Sequence, residues 1–406
     1  MGCKQQRAED GDAEVLEGAR VARPESGSEE RDSLRKRECI AALTTGADPR
    51  LHTLLRSLCA EAIEQRVPGI ALALVEPGEP PIHAEFGVRC FNEDATLEPD
   101  TAFRIGSVSK PVTAALALGL VAEGKLAPSD EATRLPDFSS QAGLAPPRLD
   151  ALLSHRSGLG EIDPAQLVEL EGAWLPALTR SPAAGRAGEY HYSNAGYSVI
   201  GALLEHASGL PYAELVDRRI RAPLGLASLG ADPRRPNTAC GHQVGDQERR
   251  PIPTSEDLDF MPGDPRWMAP AGGVLSSATD LARFALAIGS EQLPGSAAML
   301  EPGEPLPAAR ARAGHQDERY GLGLRSWKLG QLGQLGQLGQ RDSDTRAYGH
   351  SGNNQAFTAE LIFVPGVGAI VILANCGVEL PATVAAAEAL LASLAQIRED
   401  RSAQPR

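Results

Sequence analysis

Residues 102–120 read Ala102-Phe-Arg-Ile-Gly-Ser-Val-Ser-Lys-Pro-Val-Thr-Ala-Ala-Leu-Ala-Leu-Gly-Leu120, an apolar, helix-compatible run with Ser107, Ser109 and Lys110 at its front edge. A lysine buried without an acid beside it is costly, so this one is either solvated or kept for chemistry. Ser-x-x-Lys places Ser107 and Lys110 on one face of a helix, one turn apart. The first backbone N–H groups of a helix lack internal partners, which gives a serine there an electropositive, donor-rich setting. An amine in a dry, positive site sheds its proton and becomes a base, a role closed to arginine. Ahead of the pair, Phe103–Ile105 reads as a strand and Gly106 as a turn. A second match, Ser33-Leu-Arg-Lys36, lies in a charged stretch without that context and carries no meaning.

Working outward, residues 1–48 are charged and Gly/Ala-rich, and are expected to form a disordered tail or tether. Leu51, Leu54, Leu55, Leu58, Ala62 and Ile63 recur at helical spacing and stop at Val67-Pro68-Gly69. Residues 70–75 and 82–88 flank a Pro/Gly turn and predict a hairpin. Helices are expected at 109–124, 149–154, 164–180, 194–208 and 212–222. Strands follow at 320–327, 347–351, 357–364 and 369–375, and a last helix at 381–397. The fold class expected is therefore α/β (α+β): an antiparallel sheet flanked by N- and C-terminal helices, with an inserted all-helical domain. The division is 49–106 plus 275–398 for the sheet part and 107–274 for the helical part, with a site at their junction. Leu-Gly-Gln repeats across 329–340 are expected to be a lengthened, solvent-exposed hairpin loop.

The totals narrow the partners. At 406 residues the chain can bury a large core. A net charge of −14 argues against nucleic acid. Only five lysines occur, at 4, 36, 110, 125 and 328, which sharpens the question about Lys110. Six cysteines (3, 39, 59, 90, 240, 376) contain no Cys-x-x-Cys pair. They are expected to be mostly free thiols, with Cys59 and Cys376 in the core, and to form neither a zinc cage nor a disulfide framework. No metal and no cofactor is expected. No run is long enough for a membrane span. Met1-Gly2-Cys3 admits three readings: acylation at Gly2 or Cys3, which Gln6 in place of Ser or Thr weakens for myristoylation; the remnant of a lipoprotein cleavage site whose apolar part lies upstream; or a terminus that carries no signal. Membrane contact is expected only through a lipid on Cys3, with a cell-envelope location in that case and a cytoplasmic one otherwise.

Two further motifs join Ser107 and Lys110. Tyr192-Ser193-Asn194 is the one Tyr-x-Asn in the chain. A phenol near a cation is expected to have a lowered pKa and to relay protons, and an asparagine offers a substrate amide both donor and acceptor. Ser193 or Asn194 also suits a helix N-cap. His350-Ser351-Gly352 is the one His-x-Gly. It falls late in a predicted strand, where glycine permits close approach of a ligand backbone and the imidazole and hydroxyl suit a substrate carboxylate or carbonyl.

In this order and at these separations the three motifs resemble the serine β-lactamase and penicillin-binding protein superfamily, within it the class C β-lactamase, DD-peptidase and esterase branch. Class A enzymes carry Ser-Asp-Asn and Lys-Thr-Gly instead. The resemblance spans residues 51–398 and includes Leu152-Leu-Ser-His-Arg-Ser-Gly-Leu159, Ala222-Pro-Leu-Gly-Leu226, Ala271-Gly-Gly-Val-Leu-Ser-Ser277 with Asp280, and Tyr320-Gly-Leu-Gly323. It implies that Ser107 is acylated with Lys110 as its base, that Tyr192 shuttles the proton, and that Asn194 holds the acyl side chain. It also implies that His350, Ser351 and Gly352 line the pocket, and that the oxyanion sits between the N–H groups of Ser107 and Asn353. Histidine where most β-lactamases have lysine removes a fixed positive charge for the lactam carboxylate.

Other readings fail. Gly349-His-Ser-Gly-Asn353 mimics an α/β-hydrolase elbow but ends in Asn, and no histidine follows His350. There is no His-Glu-x-x-His and no phosphate loop. His155 is expected to be structural, tying the turn at Ser157-Gly158. The expected activity is hydrolysis of an amide or ester (peptide, β-lactam or small ester), with a small-molecule or peptide substrate. A non-catalytic binder of cell-wall peptides or penicillin is the alternative, which the joint presence of Ser107, Lys110 and Tyr192 disfavours.

Overall fold

The computed structural model describes residues 37, 39–41, 48–91, 95–232, 235–243, 250–252, 265–313, 315–329, 345–354 and 356–402. The expected tail therefore lies largely outside the described residues, as does the Leu-Gly-Gln repeat apart from Leu329.

Among the described residues twelve strands are formed: β1 Gly69–Val75, β2 Ile82–Gly87, β3 Phe103–Arg104, β4 Gly241–Gln243, β5 Arg250–Ile252, β6 Leu275–Ser276, β7 Glu304–Pro305, β8 Gln316–Tyr320, β9 Arg325–Lys328, β10 Arg346–Asn353, β11 Thr358–Val364 and β12 Gly368–Ala374. Eight make one antiparallel sheet in the order β2-β1-β12-β11-β10-β9-β8-β7, so the first and last strands of the sequence pair next to one edge strand. β1 reads Gly-Ile-Ala-Leu-Ala-Leu-Val and is buried along its length, as a central strand covered on both faces must be. Its pleat sorts the residues. Ile70, Leu72 and Leu74 join one core with helix α1 (His52–Glu64) and the C-terminal helix, whereas Ala71, Ala73 and Val75 join the other. The predicted face of α1, with Leu54, Leu55, Leu58 and Ala62, is the buried one. Each leucine so buried contributes about 1.5–3 kcal/mol.

Helix α2, Ser109–Ala122, is buried on every side from Ser109 to Leu120. An all-round apolar sequence dictates that position, and it turns the front edge of α2 into a fixed point of the interior. α2 packs on α3 (Asn194–Ser208), and α4 (Ala278–Gly289) covers β1 and β12. The last helix, α5 (Pro381–Ser402), packs on α1 across the far face of the sheet. Among the described residues no helix is long and apolar enough to cross a membrane.

Several expectations change. The helix predicted over 164–180 is two, Pro164–Glu169 and Trp174–Arg180, because Glu171 and Gly172 take left-handed backbone (φ 51° and 83°). The predicted strand 320–327 is a hairpin, β8 and β9, reversed through Gly321–Leu324 with Gly323 at φ 86°. Tyr212–Val216 continues through a wide π turn, Asp217–Arg221, before one last helical turn. α4 was not anticipated. Its signature is nevertheless present, since Ser277 caps the N–H of Asp280, three residues on.

The cysteine reading is overturned. Cys39–Cys59 and Cys90–Cys240 are disulfides, closing 20 and 150 residues. Such separations leave no local pattern to read. The second pair meets where Cys240 N donates to Arg89 O, which holds the residue before β4 alongside the segment after β2. Cys376 is buried as expected and belongs to neither bridge.

Candidate active site

Ser107 lies in a single helical turn, Gly106–Val108, between β3 and α2. Gly106 is left-handed there at φ 49°, and β10 closes on it: a Cβ on Gly352 would stand 2.1 Å from Ile105 O and 2.9 Å from Ser107 N. The glycine of His-x-Gly is thus required first by the chain's own backbone. Asn354 N donates to Phe357 O of the β11 arm. Antiparallel strands alternate the direction of their polar groups, so Asn353 N–H, one residue earlier, points to the free edge of β10 beyond the end of its pairing with β9 at Gly349. A Cβ on Gly106 would stand 3.5 Å from Asn353 N, so this edge amide lies beside the turn that carries Ser107. The Asn353 side chain turns away to Val378 O at 3.1 Å.

Lys110 is fully buried. Its Nζ donates to Asn194 Oδ1 at 2.8 Å, Ala271 O at 2.9 Å and Ser107 Oγ at 3.0 Å. Two of these partners are pure acceptors here. The third direction, toward Ser107, is an N–H when the amine is charged and its lone pair when it is neutral. Burial brings the Lys110 pKa down to about 7, against the opposing charge of Glu161. The Glu161 carboxylate in turn accepts the N–H groups of Asn194 at 2.6 Å and Ala195 at 3.2 Å, at the start of α3. Ser193 is the N-cap of α3, its hydroxyl taking Gly196 N–H at 3.0 Å, so the capping reading of this stretch holds.

The Tyr192 ring lies under Lys110, 4.7 Å from Nζ, and 4.2 Å from the His155 ring. The expected lowering of its pKa does not occur. Burial raises it above the ordinary phenol value, and the hydrogen bond with Ser107 offsets only part of this. The amine loses its proton first, so Tyr192 stays a phenol.

His350 is buried, not displayed in the pocket. Ser193 N–H donates to His155 Nδ1 at 3.1 Å; His155 Nε2 meets Tyr320 OH at 3.1 Å; Tyr320 OH meets His350 Nε2 at 3.1 Å; His350 Nδ1 meets Ser351 O at 2.7 Å. A backbone donor at one end and a backbone carbonyl at the other fix every proton between them. His155 carries its proton on Nε2, Tyr320 donates to His350, and His350 carries its proton on Nδ1. Both imidazoles are neutral, and burial, then the Lys110 charge, holds their pKa values well below the ordinary one. The expectation that the imidazole meets a substrate carboxylate is thereby corrected. His155 is structural, but it ties Ser193 to Tyr320 and not the turn at Ser157-Gly158.

The structure therefore brings Ser107, Lys110, Tyr192 and Asn194 together and lays Gly352 and Asn353 beside them, with His350 behind. Ser351 is partly exposed on β10. Sequence reasoning missed Glu161, Tyr320 as a bridge, and the Ala271 carbonyl. The last has no side-chain signal at all.

A profile of the family described as Beta-lactamase matches residues 41–395. The chain belongs to the beta-lactamase family. Among related sequences, the uncharacterized protein MT1414 of Mycobacterium tuberculosis is 32% identical over 231 residues, which is 49% of this chain and 57% of that one. Esterase EstB of Burkholderia gladioli is 30% identical over 201 residues, 42% of this chain and 50% of EstB. These alignments span about half the length of the curated relatives. Among solved structures, the D-alanine carboxypeptidase AmpC from Burkholderia cenocepacia superposes with a TM-score of 0.65 at 24% identity, covering 85% of this chain and 99% of that one. That likeness shows the beta-lactamase family fold in this chain: a mixed α/β arrangement around an antiparallel sheet.

Proposed function

We propose that this beta-lactamase-family chain is a serine hydrolase working through an acyl-enzyme on Ser107, with small esters or amides that lack a carboxylate beside the scissile bond as substrates. The observation that carries the reading is the 3.0 Å contact between Ser107 Oγ and a buried Lys110 whose proton affinity has fallen to the neutral range. Neutral Lys110 takes the hydroxyl proton as Ser107 Oγ bonds to the substrate carbonyl carbon. The oxygen charge that develops is met by the N–H groups of Ser107 and Asn353. The carbon–leaving-group bond then breaks, and the leaving group takes a proton from the Tyr192 phenol, which recovers one from Lys110. Water attacks the ester by the same path in reverse and frees Ser107. A phenol that keeps its proton suits this relay, since it gives one proton as it accepts another.

The neutral, doubly engaged His350 favours esters and amides without a carboxylate next to the scissile bond over β-lactams and C-terminal peptides. Esterase EstB among the relatives supports the same class. The test is turnover of p-nitrophenyl butyrate, nitrocefin and a fluorescent penicillin, with peptide mass mapping of the adduct. Ester turnover with acyl mass on Ser107 supports the proposal. No adduct and no turnover with any of the three favours a binding protein.

A further inference from the structure

The geometry points to a cation subsite at the mouth of this cleft, in which Glu161 receives a positively charged substituent of the substrate. This deepens and rests on the serine hydrolase reading.

Glu161 is exposed, yet its carboxylate is held in one orientation by the N–H groups of Asn194 and Ala195. Asn194 spans the short distance from there to Lys110 and Ser107. A carboxylate bound to two backbone donors still has unused acceptor directions, and among the described residues no ion pair to Glu161 occurs within 4 Å. It bears on the cleft electrically, because its charge reaches both Lys110 and Tyr192. The other groups around the site offer no competing cation. His155 and His350 are neutral, Lys110 must be neutral to act as a base, and Arg325 is engaged by Glu318 at 2.8 Å. When the base is ready, Glu161 is therefore the one charged side chain named here without an ion-pair partner, and it is negative. A substrate carrying a quaternary or primary ammonium group would balance it, and a carboxylate would be repelled.

Two ester pairs of matched shape test this. The first is p-nitrophenyl 4-(trimethylammonio)butyrate against p-nitrophenyl 5,5-dimethylhexanoate; the second is butyrylcholine against 3,3-dimethylbutyl butyrate. Each pair differs only in charge, on the acyl side or the alcohol side. In at least one pair kcat/KM is expected to favour the cation by about fivefold, the scale of one half-exposed charge pair. Glu161→Gln should erase that ratio and Glu161→Asp should keep it. Any change in Lys110 basicity affects both members of a pair and cancels in the ratio. A flat ratio in both pairs, or a preference that survives Glu161→Gln, overturns the subsite while leaving a Ser107 adduct intact. Absence of any adduct overturns the hydrolase reading and the subsite together.

Discussion

Lys110 and Ser107 share one helical turn and one hydrogen bond of 3.0 Å, and the other two bonds of the lysine go to groups that can only accept. The amine with a pKa near 7 works as a base only when neutral, so kcat/KM should rise with pH through about 7 and fall tenfold per unit below it. Lys110→Ala should lower the acylation rate by about 10²–10⁴ and remove that acidic limb. Ser107→Ala should take no adduct at all. Intact-protein mass spectrometry across a pH series reads both, and unchanged hydrolysis by Ser107→Ala would sink the assignment.

Tyr320→Phe keeps the ring and removes the hydroxyl that joins the two imidazoles. His155 Nε2–H and His350 Nε2 are then left without buried partners, at about 1–3 kcal/mol each. Urea unfolding should show that loss, and kcat should fall with it because the end of β10 loses its tie through Ser351. An unchanged midpoint would contradict the proton assignment.

Gly352→Ala should fold and yet be nearly inactive. The added methyl meets Ile105 O at 2.1 Å, so β10 must draw back and carry Asn353 N–H with it. Loss of one oxyanion donor costs about 10²–10³ in kcat. Wild-type ester turnover by a folded Gly352→Ala protein would refute the role given to the strand edge.

Away from the site, Glu318 is buried and accepts from Arg325 Nη1 at 2.8 Å and Arg312 N at 2.6 Å. Burial raises its pKa, but these bonds and the neighbouring His315 outweigh it and bring the pKa to about 2. Its contribution is present above the unfolded value near 4.5 and is lost as pH falls toward 2. Glu318→Gln should destabilise the protein at pH 7 and flatten acid unfolding over that window, read by thermal melts at pH 2–7.

Where a feature is local, the residues announce it. Ser107, Lys110, Tyr192 and Asn194 sit at helix starts marked by their own neighbours, and the unbroken apolar run of β1 marks a strand covered on both faces. What escaped depends on distant partners. The β8–β9 turn and the break at Gly172 need left-handed backbone that composition alone does not reveal. A neighbouring cation argues for a low Tyr192 pKa, but burial outweighs a lysine that is itself half discharged. His350 looked like a pocket ligand because its two partners, Tyr320 and the Ser351 carbonyl, appear only in three dimensions.

The bridge between Cys90 and Cys240 staples two parts of the chain that lie 150 residues apart in sequence. Closing so long a loop removes much of the freedom of the unfolded polymer, about 4–5 kcal/mol in the chain-entropy account. The molecule therefore owes part of its endurance to an electron acceptor. Made where glutathione keeps thiols reduced, it would emerge looser and easier prey for proteases than the same polypeptide matured in an oxidising milieu.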